Sequence, residues 1–141
     1  HLPPKKLVAF ADKEVLTKIL SNLVSNALKY AKKEVRISVA PDHKTKSLSI
    51  EIDNDGFLIP EEMREKVFEP FVRLKGTEKQ QGTGIGLALA RSLTELHQGT
   101  LVIEPGNKDF NRFLLRLPLL QMRPTLKNNI ASQNTIIEPT V

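Results

Sequence analysis

The chain has 141 residues, 40% hydrophobic and 26% charged, with no cysteine. That length is about one domain with enough chain to bury a core, and the mix excludes a wholly disordered or fibrous protein, while the missing cysteines exclude disulfides and thiolate metal sites. The net charge of +5 comes from scattered basic residues (Lys5-Lys6, Lys32-Lys33, Lys44 and Lys46) with one Tyr and no Trp beside them. Little is left for base stacking, so nucleic-acid binding is not expected. No apolar run nears the ~20 residues of a membrane helix, and no membrane contact is expected of this segment. The opening His1-Leu-Pro-Pro-Lys lacks the apolar stretch of a signal peptide. Residues 1–5 read as a linker or the remnant of a cut within a longer protein.

Lys6 to Ala11 is a short apolar strand candidate. Asp12 then reads as a helix N-cap, its carboxylate meeting free backbone N–H groups, and the helix should run from about Lys13 to Ala31. Leu16, Ile19, Leu20, Leu23 and Ala27 fill its inward arc; Glu14, Lys18, Ser21 and Ser25 face water. Val35, Ile37 and Val39 alternate with polar residues over 34–41, and Leu48, Ile50 and Ile52 do so over 47–54. The two runs predict an antiparallel hairpin. Pro60-Glu61-Glu62 can open a short helix, and residues 72–82 read as a polar, flexible connection. A second helix is expected from about Thr83 to His97, with Ile85, Leu89, Leu93 and Leu96 on one stripe and Gly99 closing it. Thr100–Glu104 and Phe110–Leu117 predict a second hairpin around Pro105-Gly106-Asn107-Lys108. Two hairpins plus helices suggest a two-layer α/β sandwich: an antiparallel or mixed sheet with helices on one side. From Gln121 on the chain is polar and unpatterned, and residues 119–141 read as a linker or tail.

Three groups of residues carry chemical interest. Asn22, Asn26, Lys29 and Tyr30 share the border between the two arcs of the first helix. Two Asn amide oxygens one turn apart suit a hard cation such as Mg²⁺, Lys29 could reach a phosphate and Tyr30 could line a base. The plainer alternative is two half-exposed amides and a snorkelling lysine. Asn54 shares the inward parity of Ile52, and Gly56 would let the backbone approach a ligand; alternatively Asp55-Gly56 is an ordinary turn. Gly82, Gly84 and Gly86 alternate where the second helix begins. Helix N-termini bind anions and glycines admit them closely, although a glycine hinge would look the same. The spacing matches neither the P-loop nor the dinucleotide fingerprint. His97, at a helix end, reads as structural.

Taken together, these segments resemble the catalytic, ATP-binding domain of sensor histidine kinases, which shares its fold with DNA gyrase and MutL. Lys18 to Tyr30 resembles the family's N box, Asp53-Asn54-Asp55-Gly56 through Pro60 its first glycine box, Val67-Phe68-Glu69-Pro70-Phe71 its F box, and Gly82-Thr83-Gly84-Ile85-Gly86-Leu87 its second glycine box. The resemblance spans residues 6–118. It implies a Bergerat-type sandwich with ATP under a short lid, residues 72–81. Asn22 and Asn26 would hold Mg²⁺ and act in catalysis. Asn26, Lys29, Tyr30, Asn54, Gly56, Ile59 and Phe71 would line the nucleotide. Arg73, Lys75, Gly82, Thr83, Gly84, Ile85, Gly86 and Leu87 would complete the site. The partners implied are dimerisation and phosphoacceptor helices of the same parent kinase and a response-regulator receiver domain. The domain is expected to be cytoplasmic, in a parent that can be anchored in the inner membrane.

The sequence departs from the family pattern in two places. Asn54 stands where the adenine-binding Asp is expected, and Leu58 replaces the second glycine. Asn54 can still accept a hydrogen bond from the adenine amino group through its oxygen, but a charge-assisted bond becomes a neutral one, roughly half as strong, which predicts weakened ATP affinity. The Asn-Asp-Gly-x-Leu-Ile-Pro form resembles hybrid sensors that carry their own receiver. Asn22 occupies the position where hydrolases of this superfamily place a general-base Glu. An amide cannot take the proton, which favours phosphoryl transfer over hydrolysis. None of His1, His43 and His97 is followed by the Glu and Pro of a phosphoacceptor helix. A degenerate interaction module and a gyrase-like ATP hydrolase are the competing readings.

Overall fold

The computed structural model describes residues 9–77, 79–105, 108–119 and 135–137. In chain order the elements are β1 (Ala9–Ala11), α1 (Lys13–Tyr30), β2 (Val35–Asp42), β3 (Ser47–Asn54), two 3₁₀ turns (Glu61–Met63 and Lys66–Phe68), α2 (Gly86–Leu96), β4 (Thr100–Glu104), β5 (Asn111–Pro118) and β6 (Thr135–Ile137). Four strands form one wholly antiparallel sheet in the order β2-β3-β5-β4. The expected α/β sandwich is present, and the expectation of an antiparallel or mixed sheet resolves to antiparallel.

The sheet follows from period-2 patterning. Leu48, Ile50 and Ile52 of β3, Phe113, Leu115 and Leu117 of β5, and Leu101 and Ile103 of β4 are all buried. They meet Ile19, Leu23 and Ala27 of α1 and Ala90 of α2 in one core. On the edge strand β2, Val35 and Val39 pack against this core, but Ile37, expected inward with them, is 38% exposed. Among the described residues no strand extends the sheet beyond β2.

The N-cap of α1 is as expected: Asp12 accepts from the N–H of Glu14 at 2.9 Å and of Val15 at 3.2 Å. The second helix is shorter than expected, because Thr83 to Ile85 stay extended or turned and the helix starts at Gly86. Its buried positions are Ala90 and Thr94, whereas Leu96 is 77% exposed and Ile85 41% exposed. The expected stripe is kept only in part: Leu93, with Leu87, packs against the core, while the fully buried positions are small residues where α1 lies close, and Thr94 satisfies its hydroxyl on Ala90 O at 2.7 Å. The helix ends through Gln98, which takes the left-handed φ of 58°. Gly99 is needed for a different reason, since a Cβ there would collide with Arg116 O of β5.

The expected start of β1 at residues 6–8, the linker 1–5, residues 106–107 of the 105–108 turn and most of the tail lie outside the described residues. Within that tail Thr135–Ile137 forms β6, antiparallel to β1. Three β-branched residues are too short a run to stand out by period.

One junction fixes how the helix layer sits on the sheet. The Asp55 carboxylate, just after β3, accepts from the backbone N–H of Lys32 at 2.8 Å, Lys33 at 3.0 Å and Glu34 at 3.0 Å, the turn that leaves α1. A Cβ at Gly56 would collide with Tyr30 O, so only glycine lets the two chain segments touch. Beside them Asn54 faces Asn111 as the last pair of the β3–β5 ladder. Asn111 Oδ1 accepts from Ile59 N–H at 2.8 Å, and its Nδ2 donates to Phe57 O at 2.8 Å and to Asn54 Oδ1 at 3.3 Å. Gly56 N–H donates to the same Asn54 oxygen at 3.1 Å. On the opposite face of the sheet Arg112 grips Asp53 with two bonds of 2.9 and 2.8 Å.

Two outcomes follow from this junction. The backbone N–H groups of Lys33, Glu34 and Lys32 hold the Asp55 carboxyl below the usual carboxylate range, so its contribution is present at neutral pH and lost as pH falls through the lowered folded value. Asp55→Ala should lower the melting temperature at pH 7, and the gap to wild type should narrow below about pH 4, as read by circular dichroism across pH. Asn111→Ala leaves the partly buried Ile59 N–H and Phe57 C=O without this partner and should cost about 1 kcal/mol, measured by urea unfolding.

Candidate nucleotide site

A cavity of about 490 Å³ opens between α1, the start of α2, the ends of β3 and β5 and the segment 72–83. That volume lies within the range of small-molecule sites. Asn22, Asn26, Lys29 and Tyr30 all face it, as do Asn54 and Ile59. Ser25, placed on the water-facing arc, is exposed and also lines its rim.

The cavity has two unlike ends. The inner end is lined by Val67, Phe113 and Ile59, with Asn54 and Asn111 as its polar groups. Phe68, behind Val67, meets Phe113 edge to face at 6.5 Å between ring centres, so the 3₁₀ turns are anchored on the sheet. The outer end carries Lys29 and Arg73 with Gly82, Gly84 and Gly86. Here α2 begins without any side-chain cap, leaving first-turn N–H groups free to meet an anion. Lys29 Nζ lies 4.9 Å from the centre of the Tyr30 ring and sits where a Cβ of Gly82 would be.

The segment 72–83 is closed at its neck by a backbone bond, Phe71 N–H to Gly84 O at 2.9 Å, and Val72 N–H donates to Glu69 O at 3.3 Å just before it. A Cβ on Gly84, whose φ is 74°, would press on the Phe71 backbone. Phe71 itself takes φ 68° and is 73% exposed, so its backbone closes the loop while its ring faces outward. Within the loop Arg73 Nη2 donates to Thr77 O at 2.7 Å and to Gln80 O. Arg73 thus lines the cavity while bracing the loop's own carbonyls.

Thr83 and Leu87 also face the cavity, whereas Phe71, Lys75, Ile85 and Gly56 are not among its lining residues. Lys75 and Ile85 are exposed, and Gly56 acts from behind by holding Asn54. The main omission of the sequence reading is Asn111. Its parity with Phe113, Leu115 and Leu117 marks it as inward-facing, so a polar residue there was the available signal. Thr77, Gln80 and Gln81 were missed as lining groups because nothing in a polar loop says which side chains fold back.

The amide pair on α1 fits a nucleotide-borne Mg²⁺. Asn26 offers an amide oxygen on the cavity wall, and a magnesium ion held by phosphates needs only one or two protein oxygens. Asn22 buries its Nδ2 with no partner, an orphan that normally costs about 1–3 kcal/mol. A phosphate oxygen or a water on the cation would satisfy it. Among the described residues no group of three or more His, Cys or acidic side chains is placed to hold a metal, and no helix is long and apolar enough to cross a membrane.

The family described as histidine kinase-, DNA gyrase B- and HSP90-like ATPases matches residues 11–121. The chain is 33% identical over 121 residues to the adaptive-response sensory kinase SasA of Gloeothece citriformis, covering 85% of this chain and 30% of that protein. It is 35% identical over 105 residues to the sensor histidine kinase WalK of Bacillus subtilis, covering 72% of this chain and 17% of that one. The chain thus spans less than a third of these relatives. Among solved structures the catalytic domain of histidine kinase ThkA, nucleotide-free, is 31% identical with a TM-score of 0.63, covering 77% of this chain and 69% of that one. Full-length ShkA in complex with AMPPNP shares the fold at a TM-score of 0.66 and 24% identity, over 77% of this chain and 22% of that one. The chain belongs to the histidine kinase-, DNA gyrase B- and HSP90-like ATPase family and is the ATP-binding catalytic type of domain found in sensor histidine kinases.

Proposed function

We propose that this segment is the catalytic half of a two-component kinase. It binds Mg–ATP in the cavity and passes the γ-phosphoryl group to a histidine on dimerisation and phosphoacceptor helices elsewhere in the same parent protein. ADP leaves, and the phosphorylated imidazole serves a response-regulator receiver domain, fused in the parent in the manner of hybrid sensors. The observation that carries this reading is the polarity of one cavity: apolar with two amides within, basic and glycine-lined without, beside an uncapped helix N-terminus.

Each residue has a role in this reading. Asn26 holds the cation, with Asn22 one turn away on the same wall. The ion, when bound, neutralises charge on the phosphates. Lys29 lies beside the glycine segment and balances the remaining charge, while the free N–H groups at the start of α2 receive phosphate oxygens. Tyr30 and Ile59 flank the base. Phosphoryl transfer asks mainly for positioning and charge stabilisation, which such a set supplies. Asn22 cannot accept a proton from water, which disfavours hydrolysis and leaves the imidazole, itself a nucleophile, as the acceptor.

Calorimetric titration with AMPPNP and Mg²⁺ should show saturable binding, weakened about tenfold or more by Asn26→Ala, with little Mg²⁺ dependence left in the variant. No binding up to millimolar nucleotide would instead support a non-catalytic interaction module. Asn22→Glu places a carboxylate where water must be activated and should raise ATP hydrolysis above wild type; turnover at background despite intact ATP binding would overturn the role given to Asn22.

A further inference from the structure

The inner end of the cavity presents one polar atom whose character is fixed by the surrounding backbone. Gly56 N–H can only donate, so the Asn54 atom that meets it at 3.1 Å is the oxygen. The same logic orients Asn111: Ile59 N–H donates to its oxygen at 2.8 Å, and Phe57 O accepts from its nitrogen at 2.8 Å. That nitrogen also donates to the Asn54 oxygen at 3.3 Å. Both lone pairs of Asn54 Oδ1 are therefore engaged. The expectation that this oxygen accepts from an adenine amino group conflicts with this arrangement. What Asn54 has left is Nδ2, a donor with no protein partner among the described residues, on a residue only 2% exposed that lines the cavity.

The two ends of the cavity assign the ligand's orientation. Phosphates belong at the end with Lys29 and the glycine segment. A flat, largely apolar base belongs among Val67, Ile59 and Phe113, with its polar edge toward Asn54. An adenine entering by its C6 edge brings an amino group against an amide N–H, donor against donor. A 6-oxopurine brings an oxygen to the same point. Mismatched buried polar groups are costly to binding, whereas one matched hydrogen bond in such a place discriminates well.

We propose that Asn54 reads the base through its N–H, so that the site takes a 6-oxopurine nucleoside triphosphate, inosine or guanosine, at least as well as ATP. This rests on the nucleotide reading above. Asn54→Asp keeps the shape and the oxygen held by Gly56 and Asn111 but turns the free donor into an acceptor, and should move the preference toward adenine.

The test is calorimetric titration of the whole chain with Mg²⁺ and the imidotriphosphates of adenosine, inosine and guanosine. The wild type should bind the inosine analogue at least as tightly as the adenosine analogue, and Asn54→Asp should shift that ratio about tenfold or more toward adenosine. A wild type that prefers the adenosine analogue tenfold, or a ratio unmoved by Asn54→Asp in a variant that melts like wild type, overturns the proposal while leaving the nucleotide site standing. Binding of none of the three overturns the nucleotide reading itself, and the proposal with it. The wild-type comparison decides even where the variant does not fold.

Discussion

One carboxylate organises this domain. Asp55 collects three backbone N–H groups from the turn after α1, and so ties the end of the helix that carries Asn22 and Asn26 to the end of the strand that carries Asn54. Lys32, Lys33 and Glu34 lie in the turn beyond the helix, and a carboxylate that accepts three backbone N–H groups together fixes that turn's path even at an exposed site. The glycine next in sequence permits the contact, since any side chain there would strike the Tyr30 carbonyl. The cavity exists because these two elements are held at this spacing.

The two faces of the sheet use polar residues differently. On the outer face Arg112 spans Asp53 and Glu51, a charged pairing that closes the register of β3 on β5 where water is near. On the inner face the last pair of the same ladder is Asn54 with Asn111. Two neutral amides can be desolvated there at modest cost because each is bonded to backbone, whereas a buried carboxylate would carry a charge into the core. The hydrogen-bonding sense of the floor is thus fixed, while the opposite wall is a loop closed at Phe71 and Gly84, braced internally by Arg73 and seated on the core through Leu74.

Much of this was legible in the sequence because it rests on period and on capping. The alternation over 47–54 fixed which side of β3 faces the helices, and so placed Asn54 inward before any coordinates. Asp12 announced the start of α1, and the helical spacing put Asn22, Asn26, Lys29 and Tyr30 on one border. The start of α2 was misjudged because Gly82 to Gly84 adopt positive φ values of 149° and 74° at the two glycines, which no helix tolerates. Leu93 packs on the core as the helical spacing implies, but the fully buried positions are Ala90 and Thr94, because close approach to α1 favours small residues there, a tertiary choice that hydrophobicity alone does not reveal. Arg73 lines the cavity as the sequence implies, but sequence cannot say that its guanidinium also turns back on carbonyls of its own loop. Asn111 escaped because its partners lie more than fifty positions away.

The central claim is that one cavity, walled by α1, the start of α2 and the ends of β3 and β5, is where a nucleotide binds. Amide chemical-shift mapping by NMR during titration with Mg²⁺ and AMPPNP tests it most directly. The account predicts saturating shifts concentrated at Asn22, Asn26, Lys29, Asn54 and Gly82 to Leu87. Shifts confined instead to the outer face around Glu51, Asp53 and Arg112, or no saturable shifts, would contradict it.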